Sequence, residues 1–433
     1  MMNRLQATAP TKHLRVIALL TTILVAPLAG ADLLITNARL VTGTDQGTLI
    51  NASVRIADGL ITAVDTTAVN LAATEIVDAA GAYVTTGFFD SATTVGTSEI
   101  GGGIKNRDYT VYDADIGPGF QVSLAINPYS SLLPMMRVQG VTRALVRPAA
   151  GNTNFAGQSA LINLGDAQPM VTVETNAMFV DLREEATRYS GGSRAKAILD
   201  LLDSLDEAEI YANNTKAYQA GKLRKLRQSE RDLRALVPVL RSQKPLALII
   251  DRAADIETVI GQLQPYKLTL VLVGGREAWK VAEFLATRKI PVVINPMDNL
   301  PSNFDQLGAR LDNAALLTKA GVTVALMTED VYTETRSLVQ GAGVAVAYGL
   351  DWDEAIKAIT VNPAAIWGLP GYGSVAVGQR ADLVIWNGDP LEVTSRPVKM
   401  MVDGSWVSMT TRQTLLRNRY ADLKDTGVPF GYK

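Results

Sequence analysis

Polar residues that can do chemistry gather at the ends of short apolar runs. Asp90 closes Val84-Thr-Thr-Gly-Phe-Phe and opens onto the small-residue turn that ends at Gly96. Arg147 closes residues 142–147 (TRALVR) and leads into a Gly- and amide-rich stretch, Gly151-Asn152-Thr153-Asn154 followed by Gly157-Gln158-Ser159. Asp251 and Arg252 end the run 245–250 (PLALII), and Asn295 with Asp298 ends 291–294 (PVVI). Carboxylates, amides and guanidiniums at such ends can contact a small-molecule ligand or hold a hard cation such as Mg²⁺ or Ca²⁺. A carboxylate can also take a proton. Each of these residues can equally serve as a loop cap or as half of an ordinary ion pair.

What is missing narrows the chemistry further. The 433 residues contain no cysteine and one histidine, His13. Zinc and similar ions are held mainly by imidazole and thiolate, three or four ligands to a site. Serine-histidine-acid and cysteine-histidine catalysis fail on the same count. No cofactor is expected, and any metal would be magnesium or calcium on oxygen ligands.

The elements that must position these residues alternate in type. Continuous apolar runs at 142–147, 245–250, 268–273, 291–294 and 322–326 suit parallel strands covered on both faces. Residues 253–263 and 277–287 between them carry apolar residues at three- and four-residue spacing, as helices do. The expected fold class is therefore α/β, a (β/α)8 TIM-like barrel over 84–369, with an open doubly wound sheet as its competitor. Short strand-like runs at both chain ends, one broken by Asp58-Gly59 as a tight hairpin turn, predict a small β-sandwich from residues 32–83 and 370–410. Residues 178–244 read as a helical insertion, acidic in its middle and basic towards its end. Its charges suit solvated helix faces or, on a functional reading, a lid or docking surface. Residues 411–433 form a C-terminal tail.

Residues 1–31 read as a secretory signal peptide. Arg4, Lys12, His13 and Arg15 precede the apolar run 16–28, and Ala29-Gly30-Ala31 offers a small-any-small cleavage site. Thirteen apolar residues broken by Pro27 fall short of the roughly 20 that a spanning helix needs. The expected product is exported to the periplasm or the extracellular space, with no stable membrane span. Without Arg4, Lys12 and Arg15, 38 basic residues face 43 acidic ones, a net charge of −5. That mild excess argues against nucleic acid as a partner.

The last quarter of the chain resembles the amidohydrolase superfamily. Asn362-Pro363-Ala364-Ala365, Gly373-Ser374, Gly378-Gln-Arg-Ala381-Asp382-Leu383-Val384 and Asp389-Pro390 match its closing segment, and Asn37-Ala38-Arg39-Leu40 matches its start. The exported branch related to imidazolonepropionase is the most similar. The resemblance implies a distorted (β/α)8 barrel with a β-sandwich built from both termini, and a catalytic divalent metal. It also places Gly87, Phe88, Phe89, Asp90 and Gly96 in the family's first metal-binding stretch, where Ala92 and Thr94 stand at the two histidine positions. The middle strands, ending Ile249-Ile250-Asp251-Arg252 and Val273-Gly274-Gly275, carry no histidine either. The late Thr328-Glu329-Asp330 puts Glu329, with Asp330 beside it, at the family's catalytic acid.

The frame thus resembles a metal hydrolase whose histidine ligands are absent. The expectation is a non-catalytic ligand-binding protein, or a partner subunit of a metal-competent relative in a homo- or hetero-oligomer. The alternative is a hydrolase of non-peptide or dipeptide carbon–nitrogen bonds that uses carboxylates or an oxygen-ligated metal. Asp90, Asp251 and Glu329 are expected to converge at one mouth of the barrel, and Glu329→Gln to weaken binding with little change in stability.

Overall fold

The computed structural model describes residues 32–66, 73–99, 106–112, 116–297, 300–329 and 337–421. The expected leader, Asp298 and Asp330 lie outside them. Leu33–Val41 and Thr48–Ala57 pair antiparallel, and Asp58-Gly59, both at positive φ (52° and 75°), turn the chain into Leu60–Asp65. A two-residue turn with both φ positive matches the twist of its flanking strands, hence the Asp-Gly pair. Tyr83–Thr86 lies parallel to Leu33–Val41 on one side and antiparallel to Leu383–Trp386 on the other. Pro397–Val402 and Ser405–Trp406 extend this sheet, and Glu75–Asp78 pairs with Leu33–Val41, giving eight strands from both ends of the chain. Leu40, Val54, Ile56, Val84, Leu383 and Met401 form its apolar core.

The rest of the chain is mixed α/β. Met178–Asp181, Leu246–Ile250, Leu270–Gly274, Val292–Ile294 and Val324–Leu326 run parallel in one six-stranded sheet, with Phe155–Gln158 antiparallel at its edge. Phe88–Thr93, Val141–Val146, Ala160–Asn163 and Val171–Val173 make a four-stranded sheet. Alternate residues of the two sheets pack into one shared apolar cluster that includes Phe89, Leu145, Phe179, Ile249, Val273, Val293 and Ala325. The residues between them, such as Phe88, Val180, Leu248, Leu272 and Leu326, belong to a second cluster that also takes in apolar residues of the helices. This two-sided burial is why the runs are continuously apolar.

Among the described residues the strands form two ladders, of four and six. The chain crosses from one to the other at Ser159, because Phe155–Gln158 pairs with Met178–Asp181 while Ala160–Asn163 pairs with Val141–Val146. One expectation needs correction: the predicted helical insertion, 178–244, begins too early, since Met178-Phe-Val-Asp181 is a fully buried core strand. Only then come the helices Arg194–Gln219 and Glu230–Leu240, each capped by a serine side chain, Ser193 and Ser229. The acidic and basic stretches partly answer each other: Arg227 pairs with Asp200 at 2.9 Å and Asp203 at 2.8 Å. Such exposed pairs contribute little to stability.

Two buried carboxylates tie these parts together. Arg143 reaches from the four-stranded sheet to grip Asp382 with both arms, Nε to Oδ2 at 2.8 Å and Nη2 to Oδ1 at 3.1 Å. Asp403 adds a contact at 2.8 Å, and Tyr372 stacks on the guanidinium at 4.3 Å. Burial alone would lower the Arg143 pKa, but Asp382 and Asp403 outweigh it and raise it. Asp382 therefore has a structural task within the closing segment. The second tie joins the first and last strands of the α/β body. Asp90 accepts the Thr328 hydroxyl on Oδ2 and the Thr328 and Ala92 amides on Oδ1, at 3.1 and 3.2 Å. Glu329 N–H then donates to Ala92 O at 3.2 Å.

Removing one partner of a buried ion pair strands the other, typically at a cost of about 3–5 kcal/mol. Asp382→Ala should lower the unfolding free energy in urea by about 3 kcal/mol, towards the low end because Asp403 stays in place. Asp90 yields a pH-dependent prediction. Burial pushes its carboxyl up to about 6 from an ordinary 3.8, although Thr328, Ala92 and Arg147 favour the ionised form. With the folded value raised, the stability attached to this group is full below pH 3.8 and is lost as pH rises through about 6. Asp90→Asn keeps the shape and the two amide bonds without the buried charge. It should gain on the native chain by about 1–3 kcal/mol between pH 4 and pH 7. Denaturation midpoints of both proteins across that range check this, and a constant difference would show that burial does not shift Asp90.

Candidate functional site

Parallel strands deliver the residues that follow them to a common rim, and here that rim is ionic. Met178–Asp181 brings Asp181 and Arg183, and Leu246–Ile250 brings Asp251. The Gly274-Gly275 turn, at φ 86° and 59°, leads to Arg276, and Val324–Leu326 leads to Thr328 and Glu329. Glu329 sits among three guanidiniums: Arg183 Nη1 at 3.3 Å, Arg276 Nη2 at 3.4 Å and Arg147 Nη2 at 3.7 Å. Arg183 is also clamped by Asp181, through Nε at 3.1 Å and Nη2 at 2.7 Å. Arg276 Nη1 donates to Asp251 Oδ2 at 2.8 Å, and Gln306 Nε2 donates to the same oxygen at 3.2 Å.

The electrostatics follow from this crowding. Burial alone would raise the Glu329 pKa, but Arg183, Arg147 and Arg276 together hold it below the ordinary glutamate range. Asp181 is likewise lowered, with Arg183 overcoming burial. Asp251 goes the other way, because burial outweighs Arg276 and Arg183. Glu329 also has φ 55°, in the left-handed region that costs a non-glycine residue about 1–3 kcal/mol. The hydrogen bond from its N–H to Ala92 O and the three arginines hold it there.

Above the cluster opens a cavity of about 530 Å³, within the usual size range of small-molecule sites. Arg147, Arg183, Asp181, Glu329, Thr94 and Asn295 line its inner part, and Tyr109, Tyr112, Tyr189, Arg107, Glu185 and Arg188 contribute the rest of its charged and aromatic lining. Arg188 and Tyr112 are exposed.

Of the residues expected from sequence, Glu329, Arg147 and Asn295 meet on this cavity. Asp90 and Asp251 are fully buried beside it, Asp90 linked to Glu329 through the neighbouring Thr328 and Asp251 through the shared Arg276. Two expected ligand contacts stand off this cavity. Arg252 flanks the helix Ala253–Leu263 and turns to Asp255, three residues on, so it leaves the rim. Asn152 is not among the cavity's lining residues; it sits in the bend 151–154, where Gly151 packs against the Val111 backbone. Its neighbour Asn154 donates to the carbonyls of Asp181 at 2.9 Å and Ala186 at 3.2 Å, fixing the segment that carries Arg183. Sequence reasoning missed Asp181, Arg183 and Arg276. Asp181 did carry a signal, since Phe179-Val180-Asp181 repeats the apolar-apolar-Asp ending of Phe88-Phe89-Asp90 and Ile249-Ile250-Asp251.

The residues present do not fit the divalent metal that the resemblance implies. Glu329, Asp181 and Asp251 each face a guanidinium, and both Asp90 oxygens accept hydrogen bonds from Thr328. A divalent cation would have to displace these partners and stand beside three positive charges. Of the two positions where the resemblance puts the first histidines, Ala92 is fully buried in the apolar core and Thr94 lines the cavity. At the end of a middle strand, a side chain on Gly274 would place its Cβ 2.7 Å from Asp251 Oδ1.

The Amidohydrolase family model matches residues 260–416. An amidohydrolase from Thermotoga maritima MSB8, of known structure, is 26% identical with a TM-score of 0.79, over 87% of this chain and 99% of that one. An adenosine deaminase from Xanthomonas campestris with bound zinc shares the fold, with a TM-score of 0.52, at 17% identity over 90% and 97% of the two chains. The curated "Amidohydrolase tasK" of Hapsidospora irregularis is 22% identical over 384 residues; the match takes in 80% of this chain and spans about two fifths (39%) of that relative's length. Family match, relative and solved structures together support the amidohydrolase superfamily as the family of this chain.

Proposed function

We propose that this protein binds a small molecule in the Arg147–Glu329 cavity and does not hydrolyse it by the metal route of its family. One observation carries the reading: three guanidiniums face the rim carboxylates that a metal would need. The family route uses a metal to acidify water and an acid to accept its proton. Here the acid itself is a poor base, because the arginines hold Glu329 low. A base works best with a pKa near the working pH, and contributes about 10²–10⁴-fold. A role as partner subunit to a metal-competent relative, and export through residues 1–31, belong to the same proposal. The histidine-free stretch Asp90–Thr94 and the leader-like composition of those residues support them. The hydrogen bonds joining Asp90 and Ala92 to Thr328 and Glu329 support a barrel-like arrangement of the two ladders.

The competing reading, a working hydrolase of carbon–nitrogen bonds, has one specific observation in its favour: Glu329 lines the cavity and is ionised. Turnover separates the two. The purified chain should leave acylated amino acids, dipeptides and cyclic amides intact, with Mg²⁺, with Ca²⁺ and with chelator alike. Robust turnover by the chain alone, lost in Glu329→Gln at a temperature where that variant stays folded, would make it an enzyme.

The geometry also revises the small stability effect expected for Glu329→Gln. The change removes the shared counter-ion of three arginines, of which Arg147 and Arg276 are buried. It should cost about 2–4 kcal/mol, somewhat less than a single fully buried pair can, since Asp181 and Asp251 keep hold of Arg183 and Arg276. Urea denaturation of the two proteins at neutral pH checks this.

A further inference from the structure

Arg147 differs from the other two arginines of the cluster. Arg183 has carboxylate oxygens within hydrogen-bonding reach of Nε, Nη1 and Nη2, and Arg276 reaches Asp251 and Glu329. Arg147 is 7% exposed, yet the one hydrogen bond its side chain makes among the described residues is a long one, Nη1 to Pro148 O at 3.4 Å. Its Nη2 stays 3.7 Å from Glu329, beyond hydrogen-bonding distance, and its Nε has no hydrogen-bond partner among the described residues. A buried guanidinium left with most of its donors unused is costly unless something else occupies them. The space it faces is the 530 Å³ cavity.

Charge and shape narrow what that something is. Among the described lining residues, Arg183 is held by both Asp181 and Glu329, while Arg147 only approaches Glu329. An anion is what pairs with the donors that Arg147 leaves over. A planar carboxylate matches the guanidinium fork, and such charge-assisted pairs are the stronger hydrogen bonds. Tyr109, Tyr112 and Tyr189 give the cavity aromatic surface for an apolar tail.

We propose that the cavity takes a small organic carboxylate with an apolar or aromatic tail, its carboxylate paired with Arg147. This rests on the cavity being the ligand site of the proposed function and names the class of ligand. The probes are therefore chosen with no carbon–nitrogen bond to cleave, so that binding is read apart from turnover. Isothermal titration of the purified full chain compares 4-phenylbutyrate, 4-phenylbutanol and inorganic phosphate.

The acid should bind, and the alcohol should bind at least about tenfold more weakly, as expected for loss of a charge-assisted pair. Phosphate should bind more weakly than the acid. Arg147→Gln should abolish the preference for acid over alcohol, and Arg147→Lys should restore part of it by keeping the charge without the fork. Circular dichroism of each variant verifies folding, and the comparison of probes on the unaltered chain stands even if a variant fails to fold. Equal binding of acid and alcohol, phosphate binding as tight as the acid, no binding of the acid up to about 10 mM, or a folded Arg147→Gln that keeps the preference would each overturn the proposal.

Discussion

A carboxylate buried among guanidiniums makes every member of the group hostage to the others. Glu329 holds its charge because Arg183, Arg147 and Arg276 surround it; Arg183 and Arg276 are each bonded to a second acid as well, while Arg147 stands 3.7 Å from the one they share. Neither side could be buried alone at an acceptable cost. The fold serves this arrangement directly. Parallel strands bring Asp181, Asp251, Arg276 and Glu329 to one rim, and the backbone at Glu329 is held in a left-handed conformation that only a well-tied residue keeps.

A guanidinium facing a rim carboxylate can do part of what a metal ion does there, and not the rest. A guanidinium is permanently cationic, planar and rich in donors, so it can neutralise and orient an anion. It has no open coordination position and cannot acidify a bound water as a Lewis acid does. The rim acids are legible in the same terms. They serve as counter-ions to the arginines, and their presence alone does not argue for hydrolysis. Fold likeness to metal hydrolases leaves that question to the side chains in the site.

The sequence discloses most where a residue's task is local. The Asp58-Gly59 turn, the buried parallel runs and the acids that end them are readable because a strand's next residue must emerge at its tip. Arg183 and Arg276 carry no such signal, since their bonds to Glu329 span 146 and 53 residues. Asp181 had the right local pattern but opens a long charged stretch whose helical character obscures four strand residues. Arg252 and Asn152 stand off the cavity for the opposite reason. Both follow strands, but a strand's end fixes where the Cα goes, not where a long side chain turns. Arg252 found a nearer acid in the first turn of its own helix.

The sheet shared by the two chain ends imposes an order on assembly. Tyr83–Thr86 has its inner neighbour, Leu33–Val41, close in sequence, but its outer neighbour is Leu383–Trp386, and Thr86 reaches Asp382 across 296 residues. During synthesis that edge waits, with unpaired amides and carbonyls, until nearly the whole chain has been made. Long-range pairings of this kind slow folding, and open strand edges invite mispairing meanwhile. The Asp382–Arg143 clasp closes a second long span, of 239 residues, at the same aspartate. The parts of this chain that come together last are thus the ones that lock both of its ends.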